Sequence, residues 1–239
     1  MLVTTNAIVL SALKFGDTSL IVKCFTQSSG VKSYLLKGVL TSKKGKIKKA
    51  YFQPLMQLEI VANHKDKGTL ERLTDVKLAY PYETLHTDVV KSTIAMFLAE
   101  VLQLAIHEEE INEPLYNFIA SHLQWLDHHQ KMANFHLYFL VQLTKYLGFY
   151  PDENQADLPY FDLQEGEFVP QLTLNPILVD EKLYYFKKML TIAVDELTEL
   201  KMNKELRQQL LQSVLWYYEL HLHGFRKPKS LHILSEIFS

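Results

Sequence analysis

The sequence is nearly without cysteine, which limits the chemistry that it can support. Its 239 residues contain a single one, Cys24. One cysteine excludes an internal disulfide and any zinc site built from several thiolates. Cys24 lies in an apolar, strand-like run, where a small buried side chain is the expectation. We therefore expect no metal and no cofactor.

Signals for secretion or membrane insertion are also lacking. The first residues do not combine a basic region with an apolar core, as a signal peptide does. No uncharged apolar run reaches the roughly 18 residues that a membrane span needs, and Lys145 interrupts the best candidate. We expect a cytoplasmic protein with no membrane partner.

Catalytic motifs are absent as well. The chain has no G-x-S-x-G, no P-loop and no G-x-G-x-x-G. Its ten histidines do not form a ligand pattern; His128 and His129, for example, would point about 100° apart on a helix. A non-enzymatic binding protein is the favoured class, and an enzyme using the acidic segment after Pro151 is the minor alternative.

Charge is distributed very unevenly along the chain. The net charge is −2, yet residues 1–80 hold 13 Lys and Arg against 5 Asp and Glu, and the remainder holds 12 against 22. A basic first third joined to an acidic remainder predicts that a polyanion binds the first part only.

The strongest local feature is a lysine-rich stretch, residues 37–49, which reads KGVLTSKKGKIKK. Six lysines without an acid predict a loop that binds phosphates and releases counterions, although a merely solvated loop remains the alternative. Tyr51 is an aromatic candidate for base stacking, whereas Tyr34 and Phe52 are at least as compatible with the core. The candidate DNA-binding residues are Lys32, Lys37, Lys43, Lys44, Lys46, Lys48, Lys49, Tyr51 and Arg72.

Residues 1–80 predict a small closed β-barrel, of the OB-fold or the SH3-like type, because short apolar runs alternate with glycine turns. The five predicted strands are Thr5–Leu13, Thr18–Thr26, Gly30–Lys37, Tyr51–Ala62 and Thr69–Leu78.

Residues 81–239 predict an α-helical domain, since the apolar period changes to 3.6. Its main helices are Lys91–His107, one capped by Asn112, Lys131–Leu147, Asn203–Leu222 and a short one capped by Ser230. A proline-rich, acidic insertion at about 151–179 is predicted to contain a small hairpin around Tyr160–Val169.

Four segments follow one another along the chain: GDTSLIVKCFTQSSGVKSYLLKGV (16–39), IAMFLAEVLQLAIHEEEINEPLYNFI (94–119), KYLGFYPD (145–152) and YYELHLHGFRKPKSLHILSEI (217–237). In this order they resemble the DNA repair and recombination protein RecO family. The resemblance implies an N-terminal OB-fold followed by a helical domain. It also implies binding to single- and double-stranded DNA, annealing of complementary strands, and work with RecR and single-strand binding protein to load RecA. Such a protein would associate with the nucleoid during repair.

The chain departs from this family in one segment. Many members carry four zinc-binding cysteines after the LGF-P sequence, and this chain has none there. A hydrophobic cluster of Leu158, Tyr160, Phe161 and Phe168 is expected instead.

The contact with the acidic tail of single-strand binding protein would need cations beside an apolar groove. Its candidate residues are Lys131, Lys145, Arg226, Lys227 and Lys229. A protein-interaction adaptor whose barrel binds a protein or RNA is the alternative function.

Overall fold

The computed structural model describes residues 1–41, 47–65, 70–107 and 110–238. The chain divides into two compact units, residues 1–128 and residues 129–239. The predicted boundary near residue 80 follows the last strand of the first sheet, but two helices belong to the same compact unit as that sheet. The boundary at 80 stays a prediction.

The first unit contains a five-stranded sheet in the order β3-β2-β1-β4-β5, with antiparallel neighbours. Its edges meet at one parallel bridge, where the Leu35 N–H donates to Glu71 O (3.0 Å) and the Glu71 N–H donates to Ser33 O (2.8 Å). The ladders otherwise leave the sheet open, so the predicted closed barrel is not confirmed. The strands are β1 Leu2–Phe15, β2 Ser19–Thr26, β3 Gly30–Leu36, β4 Gln57–Asn63 and β5 Arg72–Leu78.

The fourth strand begins later than the sequence predicts. Residues 51 and 52 belong to a 3₁₀ turn, Lys49–Phe52, and the strand starts only at Gln57. Pro54 has no N–H for a ladder, and Leu55 has a φ of +62°. That left-handed backbone lets the Leu55 N–H donate to Val9 O at 2.8 Å. The turn is therefore held by a contact with β1 that is distant in sequence.

The sheet core follows the alternation of β-strands. Leu20, Val22, Cys24, Tyr34 and Leu36 all point inward and are buried. Burial raises the pKa of the Cys24 thiol to about 12, so the thiol is inert, as expected for a structural cysteine.

The first unit also contains the helices α1 Val89–Ala105 and α2 Glu113–His128. The side chain of Asp127 in α2 accepts backbone N–H bonds from residues 83, 84 and 85 at 2.7–2.9 Å. The buried Lys91 of α1 donates to Asp127 O at 2.6 Å and to Thr84 Oγ1 at 2.7 Å. These bonds fix the connection after β5 against both helices.

The second unit combines helices with a small sheet in the order β7-β6-β8. Its helix α3 starts at Phe135 and not at Lys131, because a turn closed by Phe135 N–H and Met132 O (3.0 Å) precedes it. Ser230 occupies the N-cap position of the last helix, as predicted, but its side chain does not make the capping bond. The elements are α3 Phe135–Leu147, β6 Tyr160–Asp162, β7 Glu167–Val169, β8 Ile177–Leu178, α4 Asp180–Thr191, α5 Lys204–His221 and α6 Leu231–Ile237.

An aromatic cluster packs the small sheet onto its helices. The ring of Phe161 lies 4.9 Å from Phe168, 4.8 Å from Phe186 and 5.6 Å from Tyr217, measured between ring centres. Of the four residues expected to hold this segment, Phe161 and Phe168 are buried at its centre, and Leu158 and Tyr160 are half-buried.

A buried carboxylate ties the loops of this segment together. Asp162 is 1% exposed and accepts hydrogen bonds from the backbones of Gln164 and Glu165 and from the side chains of Thr173 and Asn175. Aromatic packing and one hydrogen-bonded acid therefore organise the segment in which the sequence predicts a hydrophobic cluster.

Candidate nucleic-acid interface

A groove of about 660 Å³ lies between the end of β3 and the start of β5. Lys37 and Arg72 line it, and both side chains are exposed. Apolar side chains, among them Leu35, Ile47 and Leu70, make up much of the remaining wall. Cations beside an apolar wall are suited to an anionic ligand that also has apolar parts.

The groove exists because β3 meets the residue before β5. The two backbone bonds between Glu71 and residues 33 and 35 place Arg72 beside the end of β3. Gly38, with a φ of +71°, then turns the chain away just after Lys37.

Among the described residues, the one acid that lines the groove has its charge turned inward. Glu71 is 4% exposed, and both of its carboxylate oxygens accept the Lys65 N–H at 3.0 Å. The groove therefore presents the positive charge of Lys37 and Arg72 to a ligand.

The lysine-rich stretch enters the groove region through Ile47. Lys48 and Lys49 follow it, and both are exposed. The half-buried Tyr51 packs against the sheet core, which leaves less of its ring for a ligand. Three of the predicted contacts lie outside the described residues: Lys43, Lys44 and Lys46.

Lys32 does not share the groove side of β3. It lies on the same face of β3 as Tyr34 and Leu36, whose side chains point into the core, and it is half-buried. The structure thus brings together Lys37 and Arg72, keeps Lys48 and Lys49 exposed just after Ile47, and sets Lys32 on the opposite strand face.

The five cations predicted to bind a partner divide between two ends of the second unit. Lys131 precedes α3 and forms an ion pair with Glu199 at 3.3 Å, whereas Lys145 lies near the other end of α3, about 15 Å along the helix axis from Phe135. Tyr217 lies near the C-terminal end of α5, and its hydroxyl donates to Phe149 O, just beyond the C-terminal end of α3. Lys145 therefore shares its end of the unit with the segment that follows α5, which contains the exposed residues Arg226, Lys227 and Lys229.

An exposed apolar surface on β1 and β2 was not among the predicted sites. A bulge between Val9 and Ser11 reverses the inward and outward positions of β1. Leu13 and Phe15 consequently point outward and are 62% and 52% exposed, whereas simple alternation from Ala7 and Val9 would place them in the core. A bulge has no clear sequence signal, so residue patterns alone would not reveal this surface.

The structure also bears on metal binding and on membrane insertion. Within the described ranges, no group of three or more His, Cys, Asp or Glu residues is placed to hold a metal ion. None of the helices in those ranges is long and apolar enough to cross a membrane.

Comparison with known proteins identifies relatives along the whole chain. Residues 1–82 match the family described as recombination protein O N terminal, and residues 86–232 match recombination protein O C terminal. The DNA repair protein RecO of Flavobacterium johnsoniae is 51% identical over 239 residues, and that of Christiangramia forsetii is 48% identical over 238. The protein of the same name from Bacteroides fragilis is 38% identical over 245 residues. Each match covers 100% of both chains. The resemblance inferred from the four sequence segments is confirmed.

Proposed function

Because the chain belongs to the recombination protein O family and so serves DNA repair and recombination, we propose that its first unit binds DNA at the groove between β3 and β5. The observation that carries this proposal is that exposed Lys37 and Arg72 line one groove. Among the described residues, Glu71 is the one acid that lines it, and its carboxylate is turned inward. The remaining lysines of the 37–49 stretch extend the same positive charge along the chain.

The proposal includes an OB-type barrel as the DNA-binding scaffold. An OB-fold is a five-stranded, partly open Greek-key barrel that binds oligonucleotides. The strand order β3-β2-β1-β4-β5, with a bridge from β3 to the residue before β5, supports this assignment. One bridge is a minimal closure, which suits a barrel that opens into a ligand groove on that side.

The predicted cations favour contact with the DNA backbone over base reading. Eight of the candidate contacts are Lys or Arg, and seven of these are lysines, which bind phosphates as point charges. Such contacts would serve single and double strands alike. Annealing then requires no covalent step, since the bound cations reduce repulsion between strands and raise their local concentration. The proposed role is therefore non-enzymatic.

The proposed partners follow from the family resemblance: RecR, the C-terminal tail of single-strand binding protein, and RecA indirectly. Lys145 and the cations Arg226, Lys227 and Lys229 are the better candidates for the acidic tail, because they share one end of the second unit. Lys131 is a weaker candidate, since Glu199 already pairs with it.

The test compares two variants of equal charge change by fluorescence anisotropy with a labelled single-stranded oligonucleotide. One variant replaces Lys37, Lys48, Lys49 and Arg72 by Ala. The control replaces Lys182, Lys188, Lys201 and Lys204, four cations of the second unit. The proposal predicts at least about a tenfold loss of affinity at low salt for the first variant and less than about a twofold loss for the control. Equal losses in the two variants would refute a DNA path through the groove.

A further inference from the structure

Three outward-facing apolar side chains form a row across the first three strands. The sheet register pairs Leu13 with Ile21 and Ile21 with Leu35. Leu35 also lines the groove that carries Lys37 and Arg72. This apolar row of Leu13, Ile21 and Leu35 therefore runs from the β1–β2 hairpin to the proposed phosphate-binding groove.

Phe15 continues the same face at the hairpin end. It pairs with Ser19, one outward position beyond the pair of Leu13 and Ile21, and its side chain is 52% exposed. The residue directly opposite Phe15 on β2 is the small Ser19, which offers little side chain to cover the ring. Together the Phe15 ring and the apolar row form a contiguous, partly exposed apolar patch, and such patches mark binding sites for ligands or partners.

The charges around this face favour a polyanionic occupant. Lys23 is the outward residue opposite Ser11, adjacent to the apolar row, and Lys37 follows the end of β3. Lys14 lies between Leu13 and Phe15 in the sequence and therefore points to the other face of the hairpin, and Asp17 is the acid at the turn. A ligand that is apolar in one part and anionic in another fits this arrangement better than an uncharged one.

We propose that this face binds the unpaired bases of single-stranded DNA, with one base stacked on Phe15 and its neighbours on the apolar row. The inference rests on the proposed function, because the groove cations would hold the phosphates of the same strand. A duplex buries its base faces within the helical stack, so only an unpaired strand gains from the apolar face. The groove thus supplies affinity for any DNA, and Phe15 adds preference for single strands.

The test measures Phe15→Ala against three labelled probes: an oligothymidine of about 20 nucleotides, an abasic strand with the same number of phosphates, and a duplex of the same length. Stacking predicts at least about a fivefold loss of affinity for oligothymidine and less than about a twofold change for the other two probes. The slope of log affinity against log salt should stay unchanged, because no phosphate contact is removed.

Two further variants separate stacking from structural damage. Phe15→Trp keeps an aromatic surface and should retain the preference for oligothymidine. Tyr184→Ala removes an aromatic side chain of the second unit that is 54% exposed, almost the same as Phe15, and should change nothing. Thermal unfolding of each variant verifies that the protein remains folded.

The possible outcomes distinguish this inference from the proposed function. Unchanged oligothymidine binding in Phe15→Ala, or an equal loss on all three probes, would overturn the base-stacking role. In that case, weaker DNA binding by the variant that lacks Lys37, Lys48, Lys49 and Arg72 would still support the groove proposal, because that proposal does not require base stacking on Phe15. Absence of DNA binding by the wild-type protein would overturn both, and the apolar face would then be a candidate surface for a protein partner.

Discussion

The side chain of Asp162 connects separate loops of the small sheet in the second unit. Its buried carboxylate receives four hydrogen-bond donors from the β6–β7 turn and from the loop before β8. A charged acceptor typically contributes about 1.5–3 kcal/mol per hydrogen bond, and its removal also leaves buried donors without an acceptor.

We predict that Asp162→Ala lowers the free energy of unfolding by about 3 kcal/mol. Urea denaturation followed by circular dichroism measures this change. Asp157→Ala is the matched control, because Asp157 is an exposed acid of the same segment, and it should cost less than about 0.5 kcal/mol. Similar effects of the two substitutions would show that Asp162 does not organise the segment.

The same carboxylate should make stability sensitive to acid. Burial alone would raise the pKa of Asp162, but the hydrogen bonds from Thr173, Glu165, Asn175 and Gln164 outweigh it and lower the pKa below the usual value. A pKa that is lower in the folded state gives stability that is present above the unfolded pKa and disappears as pH falls through the folded pKa.

We therefore expect the wild-type protein to lose more stability than Asp162→Asn between about pH 5 and about pH 2. Chemical denaturation at a series of pH values gives the two curves. The wild-type curve should fall towards that of the variant as the solution becomes more acidic. Two curves that stay parallel over this pH range would contradict a lowered pKa of Asp162 in the folded protein.

At the scale of elements, the β6–β7 turn packs closely against α5. Gly166 in this turn has a φ of +75°, and a Cβ there would lie 2.9 Å from the Tyr217 hydroxyl. Tyr217 is itself held by its hydrogen bond to Phe149 O, so it cannot move aside without breaking that bond.

We predict that Gly166→Ala destabilises the protein by at least about 1 kcal/mol more than Gly224→Ala. Gly224 has a similar φ of +79°, but no atom of the described residues lies within 4 Å of the position of a Cβ. Both substitutions carry the cost of a left-handed backbone, and only the first adds the clash with Tyr217. Thermal and urea unfolding of the two variants measure the difference. Equal losses of stability would mean that the β6–β7 turn can shift away from α5 without cost.

Elements with local signals were predicted well from the sequence. Asn112 accepts the Leu115 N–H at the start of α2, and Asn203 accepts the Leu206 N–H at the predicted start of α5. Helix α3 ends at Leu147, as predicted. Each of these signals depends on residues only a few positions apart. The hairpin at residues 160–169 is also confirmed by its register.

Elements that depend on distant contacts were predicted less well. The late start of β4 follows from a bond between Leu55 and Val9, and the exposure of Phe15 follows from a bulge in β1. Local residue preferences contain neither the distant partner nor the shift in register. The candidate site shows the same limit, since the sequence predicts the cations but not which of them line one groove.

At the scale of the whole molecule, charge is divided between the first third of the chain and the rest. This division can be read from composition alone, and it predicts that a polyanion binds residues 1–80. The groove adds a location, and that location requires Ser33 and Leu35 to pair with Glu71, more than 30 positions away in sequence. Composition therefore predicts the ligand class, and tertiary pairing forms the groove that we propose as the ligand's path.

The salt dependence of oligonucleotide binding is the sharpest test of DNA binding by the groove. If four to six phosphates are neutralised, log affinity for a single strand should fall against log salt with a slope of about −3 to −4. Replacing Lys37, Lys48, Lys49 and Arg72 by Ala should flatten that slope by about 0.7 for each phosphate-binding cation removed, whereas the control variant in the second unit should keep the wild-type slope. An unchanged slope in the groove variant, from folded protein, would contradict a DNA path through the groove.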